Sequence, residues 1–141
     1  MFNNDNIMPK VSVILPTLNS SLYIHDAILS ILNQSFQDFE LIIIDDKSND
    51  NTMEIVNSFE DKRIVKIITK KKLGLASCLN LGIKKSKSNL IARMDSDDVS
   101  ESNRLEEQIK FLNKNKNIDI VGSAIRIIDN NGRVRKLISF P

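Results

Sequence analysis

Two short acidic clusters hold the chemistry that this sequence offers. Asp45-Asp46 and Asp95-Ser96-Asp97-Asp98 together contain five of the chain's twelve aspartates. On an extended segment, residues i and i+2 point the same way, so Asp95 and Asp97 can both face one cation. Carboxylates are hard oxygen ligands that favour Mg²⁺ or Mn²⁺. An ion with few protein ligands fills its sphere with water and phosphate oxygens. Two carboxylates without histidine or cysteine therefore fit a cation held jointly by protein and diphosphate. The plainer reading is a solvated acidic loop capping a helix that starts near Ser100. Asp45-Asp46 has two readings as well. One carboxylate can accept from a base N–H or a ribose hydroxyl, or the pair can form an Asx-turn with Ser48 and Asn49. Turn chemistry does not easily explain two acidic pairs gathered on one edge, where repulsion costs stability without a ligand.

Other reactive residue types are isolated. His25 is the only histidine and reads as a structural or surface residue. Cys78 is the only cysteine, which excludes an internal disulfide or a cysteine-based zinc site and leaves a packed small hydrophobe. Neither a dinucleotide-binding G-x-G-x-x-G nor a P-loop is present, and no serine or cysteine nucleophile pattern appears. Lys70-Lys71-Lys72 precedes Gly74 at the approach to a helix. It reads as a phosphate-facing run or as solvated surface.

The acidic clusters depend on the elements that must hold them. Short β-branched runs at Val11 to Leu15, Leu41 to Ile44, Ile64 to Ile68, Leu90 to Ala92 and Ile118 to Val121 read as strands buried on both faces. Between them lie stripes at helical spacing: Leu22, Ala27, Ile28, Ile31 and Leu32; Ile55, Val56 and Phe59; Leu75, Leu79 and Ile83; Leu105, Ile109 and Leu112. The strand-helix alternation predicts a doubly wound, mostly parallel α/β sheet with helices on both faces and right-handed crossovers. Asn19, Ser20 or Ser21 can cap the first helix, Ser48 to Asp50 the second, and Ser100 or Ser102 the fourth. Ile125 to Ile128 and Val134 to Ile138 read as two strands around a polar turn. In open parallel sheets ligands bind outside the carboxyl ends of the strands. Those ends carry Pro16-Thr17-Leu18-Asn19 and both acidic clusters.

Composition narrows the class. The 141 residues are 41% hydrophobic and 27% charged, enough for one domain. Twenty basic and 18 acidic residues give +2, which argues against nucleic-acid binding. No apolar run reaches the roughly 18 residues of a membrane span, and the start lacks a signal-peptide pattern. Residues 1–9 are expected to be flexible and 10–141 to form one domain. A cytoplasmic location is expected, with peripheral association at the inner membrane face as a variant of it.

Four segments together resemble the family 2 glycosyltransferases, which have the A-type glycosyltransferase fold. Val11 to Asn19 looks like the family's opening strand and loop. Ile44 to Thr52 is similar to its second motif, with Lys47 where glycine is common. Gly74 to Gly82 matches its third, although Cys78-Leu79 replaces the frequent alanine-arginine. Ile91 to Asp98 carries the metal motif, followed by Asn103-Arg104-Leu105-Glu106. The resemblance implies a Rossmann-like nucleotide-binding half, a nucleotide-sugar donor that is most often UDP-linked, and inversion at the anomeric carbon. It implies that Pro16, Thr17, Leu18 and Asn19 line the nucleotide, that Asp46 binds the uracil, and that Asp95 and Ser96 contact the nucleotide. Asp97, with Asp95, would hold Mn²⁺ or Mg²⁺. The implied acceptor is a saccharide or lipid-linked saccharide of bacterial surface polysaccharide synthesis.

A general base is also required, and in this family it lies well downstream of the metal motif. Only Glu101, Glu106, Glu107, Asp119 and Asp129 follow Asp98. The catalytic base is therefore expected beyond Pro141, with the chain truncated before the acceptor half and prone to self-associate. A non-catalytic nucleotide-binding or regulatory module shares every donor-site residue. A phosphoacceptor receiver domain would need its acidic pair after the first strand, and this chain has Pro-Thr-Leu-Asn there.

Overall fold

In the computed structural model, residues 8–129 and 131–139 are described, so the flexible segment expected over residues 1–9 lies mostly outside them. The central sheet has four parallel strands in the order β3-β2-β1-β4. They are β1 (Val11–Thr17), β2 (Phe39–Asp45), β3 (Ile64–Ile68) and β4 (Ile91–Arg93). Helices α1 (Ile24–Leu32), α2 (Thr52–Asn57), α3 (Leu75–Lys85) and α4 (Arg104–Lys114) follow the strands in turn. The doubly wound arrangement is present.

Alternation along the strands divides the core. Val11, Val13 and Leu15 of β1, with Leu41 and Ile43 of β2, pack against Ile24, Ala27, Ile28, Ile31, Val56 and Leu105 from α1, α2 and α4. Ile14, Ile42 and Ile44 face the other way, toward Cys78 and Leu79 of α3. Leu41 through Ile44 are each at most 1% exposed, which explains why this central run of β2 is apolar at every position. Full burial of such a side chain contributes about 1.5–3 kcal/mol, so β2 anchors both layers. Gly82 lets α3 sit close to the sheet: a Cβ there would lie 2.9 Å from Ile44 Cδ1.

The strand expected over Ile118 to Val121 and the expected helix caps need correction. Ile118 to Val121 forms no strand. The chain is irregular from Asn115 to Ala124, and Ile120 is 88% exposed. Polar residues and Gly122 flank this short run, and it meets no partner edge, without which a strand is not stable. The side chains of Asn19, Ser20 and Ser21 do not cap α1, whose N-cap is Tyr23 with no side-chain bond. The Ser20 carbonyl instead accepts from Tyr23 and Ile24 N–H. The neighbouring polar groups tie this loop to the β2–α2 loop: Asn49 N–H donates to Asn19 Oδ1, and Ser20 N–H to Thr52 Oγ1. For α2 the N-cap is Asn51, outside the expected Ser48 to Asp50, and its side chain makes no cap bond; Asp50 Oδ1, one residue earlier, accepts from Thr52 N–H at 3.0 Å. For α4 the partner is neither Ser100 nor Ser102. Gln34, 1% exposed, accepts from Leu105 N–H and donates to the Glu101 carbonyl.

The two final strands pair antiparallel as β5 (Ile125–Ile128) and β6 (Val134–Ile138), with a bulge at Ile127/Ile128. Asn130 of the expected turn lies outside the described residues. Arg126 reaches Glu101 at 2.9 Å, while Ile125, Ile127, Ile128, Val134 and Leu137 remain exposed.

Candidate donor-binding site

The strand order runs outward from β1 through β2 to β3, and β4 lies on the other side of β1. The strand order reverses there, and crevices form at the carboxyl ends of the strands beside such a reversal. A cavity of about 300 Å³ occupies this place, lined by Pro16, Thr17 and Leu18, by Asp46, by Gly74, Leu75 and Cys78, and by Arg93 to Asp97 except Met94. The first and last of these segments are joined across the rim by Ser20 and Ser96, whose hydroxyls are 2.7 Å apart.

Of the expected nucleotide residues, Pro16, Thr17, Leu18, Asp46, Asp95 and Ser96 meet at this cavity. Asn19 does not line it. Its backbone is left-handed (φ 52°), and it clasps the β2–α2 loop through Asn49 and Ser48. Thr17 is 3% exposed, yet its hydroxyl has no hydrogen-bond partner among the described residues. A buried hydroxyl left unpaired costs about 1–3 kcal/mol.

The two members of the Asp45-Asp46 pair do different work. Asp45 makes the Asx-turn, its Oδ2 accepting from Ser48 N–H at 3.0 Å. Asp46 accepts from Leu73 N–H at 2.7 Å, Gly74 N–H at 2.8 Å and the Thr69 hydroxyl at 3.1 Å. Burial alone would raise its pKa. The Leu73 and Gly74 N–H groups, the Thr69 hydroxyl and the Cys78 thiol outweigh that and hold it below the ordinary value. Asp46 thus fixes the β3–α3 loop that forms one wall. Cys78, beneath this wall, has its thiol pushed up to about 11 by burial and by the charges of Asp46 and Asp45.

The Asp95 to Asp98 segment is a turn, not the extended piece expected from i, i+2 spacing. Asp98 N–H donates to the Asp95 carbonyl at 3.3 Å. The turn still directs Asp95 and Asp97 to the cavity. The pKa of Asp98 is raised, first by desolvation of its carboxyl and then by the charges of Asp97 and Asp95. Such crowding of negative charge is relieved by a cation. Among the described residues no group of three or more His, Cys, Asp or Glu is placed to hold a metal alone. Asp95 and Asp97 fit an ion whose remaining ligands are water and phosphate.

Sequence reasoning missed Arg93 and Arg104. Arg93 forms an ion pair with Asp95 at 2.8 Å. Arg104 Nη1 donates to the Arg93 carbonyl at 3.2 Å. Arg104 stood in a quoted motif, but nothing in its spacing indicated this contact. Lys70 to Lys72 are exposed and do not line the cavity. His25 is exposed and lies 5.4 Å from the Phe59 ring. None of Glu101, Glu106, Glu107, Asp119 and Asp129 lines the cavity.

These features define a nucleotide-binding α/β half-domain of the glycosyltransferase type, with an acidic turn at the strand reversal. The TarS structure from S. aureus in complex with UDP superimposes with a TM-score of 0.70 at 25% identity, covering 88% of this chain and 43% of that one. A Pyrobaculum calidifontis mannosyltransferase in complex with GDP-Man and Mn²⁺ shares the fold at a TM-score of 0.68 and 21% identity, covering 89% of this chain and 37% of that one. The chain belongs to glycosyl transferase family 2, whose family model matches residues 12–140. Among curated relatives, the Escherichia coli UDP-Glc:alpha-D-GlcNAc-diphosphoundecaprenol beta-1,3-glucosyltransferase WfgD is 37% identical over 92% of this chain and 51% of its own length. The chain spans about half the length of the curated relatives it matches. Among the described residues no helix is long and apolar enough to cross a membrane.

Proposed function

We propose that this chain is the donor-binding half of an inverting glycosyltransferase that takes a UDP-linked sugar and a divalent cation. The observation that carries this reading is the convergence of the unpaired Thr17 hydroxyl, Asp46 and the Asp95–Asp97 turn on one cavity at the strand reversal. Pro16, Leu18 and Leu75 give the base apolar walls. Thr17 takes a hydrogen bond from the nucleoside, and Asp46 at the cavity wall accepts the base N–H. Asp95 and Asp97 hold Mn²⁺ or Mg²⁺, and the Ser20–Ser96 contact keeps their turn against the opposite wall. When bound, the cation supplies Lewis acidity to the departing diphosphate. The acceptor hydroxyl must lose a proton as it attacks, and the five downstream carboxylates lie away from the cavity lining. The group that receives the proton therefore belongs to an acceptor half outside these residues. The UDP donor and the undecaprenol-linked acceptor named for WfgD support a saccharide or lipid-linked acceptor in surface polysaccharide synthesis.

Calorimetry with UDP tests the donor site. Binding should tighten when Mn²⁺ replaces a chelator, and Asp97→Ala should abolish that difference. Equal affinity under all these conditions sinks the metal assignment. That none of the five downstream carboxylates lines the cavity favours a second reading, a module that binds nucleotide without catalysis. Donor hydrolysis by a longer chain that contains this one, absent in its Asp97→Ala variant, rejects that reading.

A further inference from the structure

Among the described residues, Arg93 is the single cationic side chain lining the cavity, alongside Asp46, Asp95 and Asp97. It is not free to meet an anion. Its Nε and Nη2 donate to Asp95 Oδ1 at 3.0 and 2.8 Å, and Nη2 also reaches Asp95 Oδ2 at 3.0 Å. One edge of the guanidinium thus covers both oxygens of a carboxylate that the donor-site reading assigns to the cation. The geometry has a local cause. Residues 93 and 95 are two apart where the strand leads into the turn, so their side chains share a side. The pair is 54% and 39% exposed, and an exposed ion pair is weak enough to exchange for a stronger partner.

We propose that Arg93 is an internal counter-ion that holds Asp95 until a divalent cation displaces it, and that the released guanidinium then binds the diphosphate. This rests on the reading that Asp95 and Asp97 hold the cation. Arg93 already makes three contacts to the two Asp95 oxygens, so a divalent ion must compete with it for the same lone pairs, and the doubly charged ion is the stronger competitor. The departing guanidinium stays tethered to the cavity wall, where a nucleoside diphosphate introduces fresh negative charge. A guanidinium matches phosphate oxygens with two parallel N–H donors. Arg93 is therefore a positioning residue before the cation arrives and a ligand-binding residue afterwards.

Two affinities should move in opposite directions in Arg93→Ala. Without nucleotide, Mn²⁺ followed by electron paramagnetic resonance should bind the 141-residue chain about two- to fivefold more tightly than wild type, because a competing cation has gone. With Mn²⁺ saturating, UDP should bind about three- to tenfold more weakly by calorimetry, while uridine binding stays unchanged. Arg93→Lys should recover part of the UDP affinity, since it restores charge without the fork. A variant that merely damaged the fold would weaken all three ligands together, and that result overturns the proposal. So does unchanged or weaker Mn²⁺ binding in Arg93→Ala while Asp97→Ala still abolishes it, which leaves the donor-site reading standing. If wild type binds no Mn²⁺ with or without UDP, the donor-site metal reading itself fails and the exchange fails with it.

Discussion

Asp46→Asn isolates the group that ties the nucleotide wall to the sheet. The substitution keeps the size of the side chain but turns one acceptor oxygen into an NH₂ donor. In the better orientation the remaining oxygen faces Thr69 and Leu73, and the new NH₂ then faces Gly74 N–H, which loses its partner. Losing one hydrogen bond to a charged acceptor and setting two donors together costs about 2–4 kcal/mol. Urea unfolding at pH 7, followed by circular dichroism, should show that loss. The gap should also depend on pH. The folded pKa of Asp46 lies below its unfolded value of about 3.9. The unfolded chain therefore takes up the proton first as pH falls. The carboxylate's contribution is complete above about pH 5 and is lost as pH drops through the folded pKa. Asparagine does not titrate, so the gap between wild type and Asp46→Asn should begin to close as pH falls below about 4 and go on closing through the folded pKa. Equal stability at pH 7, or a gap of the same size at pH 3 and pH 7, would refute this account of the wall. UDP affinity measured on the folded variant then tests base recognition separately.

Gly82→Ala should destabilise the chain by about 1–2 kcal/mol, because overpacking against Ile14 and Ile44 exceeds the roughly 1 kcal/mol of helix propensity gained. Asn80→Ala, at an exposed position of the same helix, should stabilise it, and chemical denaturation of both variants checks the contrast. Lys47 has a left-handed backbone at φ 64°, so Lys47→Gly should raise stability by about 0.5–1 kcal/mol, read as a higher thermal midpoint. The β5–β6 ribbon exposes Ile125, Ile127, Ile128, Val134 and Leu137. Light scattering should detect concentration-dependent self-association that Leu137→Lys reduces.

Strand identity was legible wherever burial on both faces left only apolar residues, as in Leu41 to Ile44, and the cavity was legible as the ends of those strands. The segments that meet at the cavity follow β1, β2 and β4, which is what a parallel sheet requires of its ligand-facing loops. What sequence could not supply was partnership across distance. Gln34 reads as an ordinary polar residue at a helix end, yet it is buried because Leu105 and Glu101 arrive 71 and 67 residues later. Glu40 is likewise 5% exposed within β2, accepting from the Ser12 hydroxyl and from Lys87 N–H at the sheet end remote from the cavity. Ile118 to Val121 failed for the converse reason: its composition suits a strand, but composition does not create a neighbouring edge. Lys47 shows a third case. The resemblance placed glycine at that position, and the left-handed backbone there gives the reason.

Among the described residues, helix α3 covers its face of the sheet alone, whereas three helices share the opposite face. Only Cys78 and Gly82 of its eleven residues are buried. Its first turn also forms part of the cavity wall. The chain is thus divided into a firmly covered layer and a thinly covered one, and a thinly covered helix opens at lower free energy than the whole domain. Amide hydrogens of α3 should exchange with solvent before those of α1. A bound nucleotide resting against Gly74 and Leu75 would slow that exchange, so occupancy of the cavity is expressed as the rigidity of a helix.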